Sequence, residues 1–410
     1  MSSYLPYARQ WISEEDIKEV EKVLRSDWIT QGRRVSEFER ALAEFVGVKY
    51  AVALSSGTAA LHAACFAAGI KQGDEVITTP VTFAATSNSI LYLGGRPVFA
   101  DIKEDTYNID PQQIEKKLTS ATRAIIPVDF AGQPADLEKI DQIAQKHSLV
   151  VIEDAAHALG AQYESCFQLK VSSSGSKTNL GKKKEEWIKV GSCRHSDMTV
   201  FSFHPVKLIT TGEGGVVVTN NKDYYEKLLL FRSHGITKDA KKMRNKEEGP
   251  WYYEMGLLGY NYRITDFQCV LGLGQLRRLR EFLAGRKEIV KMYNQAFQNI
   301  EEVITPYERP QVKPAWHLYV IRLKLSQLTA TRRQIFESLR KYNIGVHVHY
   351  MPVYYHPYYQ KLGYNKGLCP RAERYYEEAL TLPLFPKMKD KDVLKVIDGV
   401  KKVITGYRGK

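Results

Sequence analysis

Cysteine is scarce in this chain and poorly spaced for chemistry: Cys65, Cys166, Cys193, Cys269 and Cys369 form no Cys-x-x-Cys pair and no Cys/His ligand pattern. That argues against a disulfide framework and a zinc site, and we expect reduced thiols and no bound metal. Long apolar runs are missing too. No stretch approaches the roughly 20 residues needed to cross a bilayer, and the opening MSSYLPYARQWISEED lacks the basic-then-apolar order of an export signal. The expectation is a soluble, cytoplasmic protein with no membrane partner. No internal repeat stands out, and neither end is low in complexity. No RNP or zinc-finger motif accompanies the basic residues, so nucleic acid is not an expected partner.

What the chain has in excess is positive charge, a formal +13 over 410 residues. Such a balance suits nucleic acid, an anionic surface or an acidic small substrate without choosing among them. Much of it is local. The stretch KVSSSGSKTNLGKKKEEWIK at 170–189 holds six lysines against two glutamates, and KDAKKMRNK at 238–246 adds more. A solvated loop and a binding surface both fit such runs.

From about residue 50 to 220, short apolar runs alternate with helix-period segments, the pattern of a sheet with helices on both faces. YAVALSS, DEVITTP, RPVFADI, RAIIPVDF, LVVIED, MTVFSF and GGVVVTN read as strands, with TAALHAACFAAGI, FAATSNSILYLG and ADLEKIDQIAQKHS as helices between them. Residues 222–295 read as mostly helical. Beyond them PAWHLYVIRL and GVHVHYMPV read as strands around the helix TRRQIFESLRKYN, and DKDVLKVIDGVKKVI closes the chain as a helix. We expect a large domain over 1–275, with an inserted basic loop at about 165–187, and a small α+β domain over 276–410.

Sheets of this kind bind ligands beyond the carboxyl ends of their strands. Three features fall there. After the first strand, SSGTAALH starts a helix at Gly57 and Thr58, whose free N–H groups suit a phosphate, although an ordinary helix cap reads the same way. After LVVIE come Asp154 and His157, and Asp154 can equally be a cap. After MTVFSF come Ser202, His204 and Lys207, then a GEGG turn with Gly212, Gly214 and Gly215. A lone lysine is usually a solvated surface residue. A phosphate site, a rim carboxylate and a rim lysine together meet the needs of pyridoxal 5'-phosphate: an amine for its aldehyde, an anion for its pyridine nitrogen and N–H groups for its phosphate.

The segments SSGTAAL, TTPVTFAAT, EDAAHALG, SFHPVKLITTGEGG and GYNYRITDFQCVLGLGQL resemble the DegT/StrS-type sugar aminotransferases, and the resemblance runs from about residue 5 to 405. It implies an α/β fold of the fold-type I PLP-dependent transferases: a large domain built on a mixed, mostly parallel seven-stranded sheet, and a smaller C-terminal domain. Lys207 would be the lysine that carries the cofactor and moves the proton, and Asp154 would pair with the pyridine nitrogen. His157 would lie near the phenolic oxygen, Phe83 would cover the ring, Gly57, Thr58 and Ser202 would hold the phosphate, and Asn261 would reach the cofactor of a neighbouring subunit. Substrate contacts would fall to Tyr7, Asp27, Trp28, Ile29, Thr30, His317, His349 and Tyr350, although aromatic stripes in strands are also ordinary core.

Within that family FRSHGITKD, WYYEMGLLGYNYRITD and VHVHYMPVY are most similar to the transaminases of pseudaminic acid biosynthesis. The implied partners are a UDP-linked 4-keto-6-deoxy-N-acetylhexosamine, L-glutamate with 2-oxoglutarate, and a second copy of the chain in a homodimer with shared sites. One departure is the insertion between GAQYES and KVGS, whose composition suggests a flexible, lengthened hairpin tip. Two competing readings are a sugar deoxygenase, which resembles these enzymes but has histidine in place of the lysine, and a non-catalytic anion-binding protein, for which only the charge speaks.

Overall fold

The alternating apolar runs between residues 50 and 219 assemble as one sheet. A computed structural model describes residues 4–170, 180–245 and 248–409, and their side chains outside 166–185. In chain order the strands are β1 (Tyr50–Leu54), β2 (Glu75–Thr78), β3 (Arg96–Phe99), β4 (Thr122–Ile126), β5 (Val150–Asp154), β6 (Gln162–Lys170), β7 (Leu180–Lys189), β8 (Met198–Ser202) and β9 (Gly215–Thr219). Seven of them form the sheet in the order β1-β9-β8-β5-β4-β2-β3. Neighbours from β3 to β8 run parallel, and β9 alone runs against its neighbours β8 and β1. The expected mixed, mostly parallel α/β sheet is therefore present.

Both faces of the sheet are covered, which is why its strands read as continuous Val/Ile/Ala runs. Alternate residues sort cleanly: Ala51, Ala53, Ile125, Val151, Phe201 and Val216 enter one core, Val52, Leu54, Ile126, Ile152, Val200 and Val217 the other. Two helices precede β1, α1 (Glu14–Leu24) and α2 (Arg33–Val46), and α2 packs Phe38, Leu42 and Val46 into the first core. The second core is filled by α3 (Gly57–Ala67), whose small side chains let it lie close against β8 and β9. After β2 comes α4 (Ala85–Leu91).

The long helix Asp266–Phe297 starts in a capping box, Thr265 with Gln268. It gives Cys269, Leu279 and Phe282 to the first core and Ile289, Val290, Tyr293 and Phe297 to a separate C-terminal core. On that basis we propose a large and a small domain divided along this helix, between Phe282 and Ile289 and so slightly past the expected 275/276 boundary, with the helix as the beam common to both.

One expected strand fails. GVHVHYMPV forms no ladder: it meets its neighbours through an isolated bridge between His347 and Thr381 and single bonds from Gly345 N–H to the Leu5 carbonyl and Val353 N–H to the Pro80 carbonyl, and the His349 carbonyl accepts the Tyr375 hydroxyl at 2.6 Å instead of a strand partner. The strand that pairs with Tyr319–Leu323 is Ala379–Leu382, which follows the helix Pro370–Glu378 without a break that the sequence could signal. The basic insertion is a lengthened hairpin, as expected, with β6 against β7 paired from Gln162↔Lys189 to Lys170↔Leu180. Its tip, 171–179, lies outside the described residues.

The carboxyl ends of β4 and β5 are tied by a pair of acids. Asp129 N–H donates to the Asp154 carbonyl at 3.1 Å, and Asp154 N–H to the Pro127 carbonyl at 2.9 Å. Beneath this ladder the fully buried carboxyls of Asp129 and Glu153 lie close enough to act on each other's ionisation, and Asp129 Oδ2 and Glu153 Oε1 have no hydrogen-bond partner of another kind among the described residues. Asp129 also accepts from Ala135 N–H, and Glu153 from the Thr199 hydroxyl. Burial and the neighbouring Glu153 charge push the Asp129 carboxyl well above its ordinary range, so Asp129 keeps its proton beside Glu153.

The linkage follows from that direction. An acid with a raised folded pKa contributes stability that is complete below its unfolded value of about 4 and is lost as pH rises through the folded value. Asp129→Asn supplies the same donor without an ionisable proton. Its unfolding free energy, measured by urea titration from pH 5 to 9, should decline less steeply with pH than that of the parent. Asp129→Ala should cost about 1–3 kcal/mol by stranding a buried carboxylate.

Candidate active site

Three chain segments meet beyond the carboxyl ends of β1, β5 and β8. The first turn of α3 is capped by Ser56, whose hydroxyl accepts from Ala59 N–H at 3.1 Å, and the earliest N–H groups of that turn have no intrahelical acceptor. Gly57 brings this turn against β8: a Cβ there would stand 2.8 Å from the Ser202 Cβ and 2.9 Å from its Oγ. Ser202 and the open N–H groups of Gly57 and Thr58 thus form one cradle. In the following turn only Gly212 needs a left-handed backbone, at φ +81°, whereas Gly215 is required for space, because a side chain there would meet the Ser56 carbonyl. His204 turns outward, 4.0 Å from the exposed Glu213.

Lys207 is half-buried by surface, but its ammonium is enclosed by protein. Desolvation lowers its pKa to about 8, against the opposing pull of Asp154. Asp154, at the last position of β5, is buried and is not simply a helix cap. One carboxylate oxygen accepts from Ala156 N–H at 3.2 Å and the other from the Thr86 hydroxyl at 2.8 Å, and Thr86 in turn meets Thr82 at 2.7 Å. Burial still raises the Asp154 carboxyl, although these donors and the Lys207 charge pull it back. A carboxylate held this way lacks a hydrogen-bonded cation, and Lys207 is the cation that its field reaches.

Around this pair stand neutral imidazoles. His157 is buried, with Nε2 3.2 Å from the Tyr350 hydroxyl and Nδ1 unpartnered. Its ring lies 4.4 Å from that of His317, whose Nδ1 is also unpartnered. The contact depends on Gly132 at φ +96°, where a Cβ would come within 2.9 Å of the His157 carbonyl and the Trp316 and His317 nitrogens. His349 is buried with Nδ1 2.9 Å from the Thr381 hydroxyl. Burial, reinforced by the Lys207 charge, depresses all three histidines well below their usual range, so they are uncharged. Tyr7 joins the group at 5.3 Å from the His349 ring.

The remaining expected residues are exposed and make no side-chain bond to this cluster among the described residues. Asp27, Trp28, Ile29 and Thr30 are exposed, Trp28 by 66%, and the stretch is tied to the start of the long helix by Asp266 N–H donating to the Ile29 carbonyl at 3.0 Å. Phe83, 62% exposed, precedes α4 with its ring open to solvent. Asn261 is exposed, in a stretch that also bares Trp251 and Leu258, each by 76%.

Sequence reasoning missed three residues. Thr86 lies in TTPVTFAAT, a segment noticed without a role, and only its distance to Asp154 supplies one. Gly132 gave no signal. Arg286 is fully buried in the long helix, with Nη1 donating to the carbonyls of Trp316, His317 and Leu384 at 2.9–3.2 Å, and so fixes the backbone that carries His317.

The cluster fits pyridoxal phosphate. Lys207 offers a desolvated amine, Asp154 a buried anion without a bonded cation among the described residues, His157 a buried ring nitrogen with no partner among them, and the first turn of α3 open N–H groups held against Ser202 by a glycine whose Cβ would clash there. This fold with this site defines a pyridoxal-phosphate-dependent aminotransferase. The chain belongs to the DegT/DnrJ/EryC1/StrS aminotransferase family, whose model matches residues 10–401. It is 42% identical over 405 residues to the spore coat polysaccharide biosynthesis protein SpsC of Bacillus subtilis, covering 98% of each chain. It is 39% identical over 412 residues to the UDP-4-amino-4,6-dideoxy-N-acetyl-β-L-altrosamine transaminase of Campylobacter jejuni, covering 99% of this chain and all of that one. Among solved structures, Helicobacter pylori PseC, an aminotransferase of pseudaminic acid biosynthesis, superposes with a TM-score of 0.86 at 34% identity, over 99% of this chain and 100% of that one.

Borohydride reduction of the cofactor-loaded protein, followed by peptide mass mapping, should place the phosphopyridoxyl group on Lys207; a label on another lysine would remove Lys207 from the mechanism. Cofactor uptake by the stripped protein needs the neutral amine, so its rate should rise with pH and level off above about 8. Thr86→Val should lower kcat by ~10–100-fold, the equivalent of one charge-assisted hydrogen bond of about 1.5–3 kcal/mol, with little change in Tm.

Proposed function

We propose that this aminotransferase moves the amino group of L-glutamate to C4 of a UDP-linked 4-keto-6-deoxy-N-acetylhexosamine, UDP-2-acetamido-2,6-dideoxy-β-L-arabino-hex-4-ulose, a step of pseudaminic acid biosynthesis. The observation that carries this reading is the full-length similarity to the Campylobacter jejuni transaminase, joined to a site where one enclosed lysine faces one buried aspartate. Pyridoxal phosphate, when bound, supplies the electron sink for the carbanionic carbon. The chain's own residues do the rest. Lys207 Nζ, poised near neutrality, takes the proton from the amine-bearing carbon of glutamate and returns one to C4 of the sugar. Asp154 holds a fixed negative charge at the floor of the site, kept in place by Thr86. Gly57, Thr58 and Ser202 bind the phosphate, and Phe83 lies over the ring. Tyr7, the 27–30 stretch, His317 and His349 contact the sugar nucleotide.

Asn261, on its exposed apolar strip, completes the site of a second copy, so the working unit is a homodimer. A second reading keeps the chemistry and changes the sugar: the similarity to a Bacillus subtilis spore coat polysaccharide protein favours a different nucleotide-linked 3- or 4-keto sugar on UDP, dTDP or GDP.

Turnover of the purified enzyme on a panel of UDP, dTDP and GDP keto sugars separates these readings. The highest kcat/KM should fall on the UDP-linked N-acetylated 4-ketose, and a preference of more than ~10-fold for another sugar would transfer the assignment to it. Mixing the inactive variants Lys207→Ala and Asn261→Asp should restore part of the activity, because one site of a mixed dimer would then hold both intact residues. No restoration would confine each site to one chain.

A further inference from the structure

The unpartnered ring nitrogen of His157 and the enclosed hydroxyl of Tyr350 belong to one hydrogen bond whose direction can be worked out. Tyr350 O–H and His157 Nε2 are 3.2 Å apart, and that histidine is the hydroxyl's only hydrogen-bond partner among the described residues. His157 is uncharged, so one of its nitrogens donates and the other accepts. If Nε2–H donated to the tyrosine oxygen, the hydroxyl proton and the Nδ1 lone pair would both be left buried without partners. If the hydroxyl donates to Nε2, only Nδ1–H is left over. Stranding two buried polar groups is costlier than stranding one, which decides between the arrangements.

The surroundings keep the two side chains from finding other partners. Tyr350 stands edge-on to the His349 ring, 4.8 Å away at 86°, and the His349 carbonyl is pinned by the Tyr375 hydroxyl at 2.6 Å. Phe130 packs at 6.3 Å from the rings of both His157 and Tyr350, and His317 closes the remaining face of His157. The other titratable groups that bear on His157 are Lys207 and His349.

We propose that Tyr350 is a positioning residue that fixes His157 as the Nδ1–H tautomer, so that His157 presents a hydrogen-bond donor, not an acceptor, to the cofactor site. A donor there suits an anionic oxygen, and identifying that oxygen as the cofactor's phenolic one rests on the function proposed above. This gives Tyr350 a role through His157 in place of a direct substrate contact. It also makes the C-terminal third of the chain set the chemistry of a residue held on the carboxyl edge of the sheet.

The tautomer is directly measurable. Full-length protein labelled with 15N-histidine, with and without pyridoxal phosphate, can be examined by long-range 1H–15N correlation, the His157 signals being assigned by their loss in His157→Gln. The parent should show a protonated Nδ1 and an unprotonated Nε2 in both forms, the reverse of the tautomer free histidine favours in water. In Tyr350→Phe the cofactor-free protein should shift towards Nε2–H, and the cofactor should bind ~5–30-fold more weakly. Nε2–H in the parent, or an unchanged tautomer in Tyr350→Phe, overturns the proposal. Because the cofactor-free measurement stands on its own, it can fail while the transaminase reading holds, and the reverse is equally visible.

Discussion

Everything at this site depends on keeping one positive and one negative group out of water together. Lys207 and Asp154 are both enclosed, and each is pushed towards its neutral form by burial and drawn back by the other's charge. The surrounding protein adds hydrogen bonds to the anion, from Thr86 and the Ala156 amide. The amine therefore titrates at about 8, close enough to neutral pH to give up and take back a proton, while the carboxylate keeps a fixed position.

The neutral histidines follow from the same constraint. His157, His317 and His349 crowd one edge of the site, and a second cation among them would repel Lys207 in a desolvated space. Held uncharged, they serve as directional hydrogen-bonding groups whose tautomers are set by neighbours such as Tyr350 and Thr381. Arg286 sits behind them as a buried cation without a carboxylate, its charge spread over three carbonyls, and its pKa is lowered to about 9 by burial. Its use is geometric: it holds the 316–317 backbone against the glycine turn at 132.

The outer surface has a different logic. Trp28, Trp251 and Leu258 expose large apolar groups, and Asn261 is exposed in the same stretch of chain as the latter two. A second copy covering that stretch is what the proposed function requires.

The sequence by itself determined the sheet, since strands buried on both faces must be continuous apolar runs, and it determined the chemistry, since a lysine, an aspartate and a glycine-led helix start follow three of those strands. Lys207, Asp154 and Gly57 could be read because each falls at or shortly past the carboxyl end of a strand. Tertiary structure alone decided the rest. Thr86 reaches Asp154 across 68 residues of chain and Tyr350 reaches His157 across 193, and no local pattern encodes a hydrogen bond at such separation. The missed strand Ala379–Leu382 and the misread GVHVHYMPV have the same cause: whether an apolar stretch becomes a strand depends on which backbone groups come to lie beside it, and there Tyr319–Leu323 paired with the one and a tyrosine hydroxyl took the carbonyl of the other.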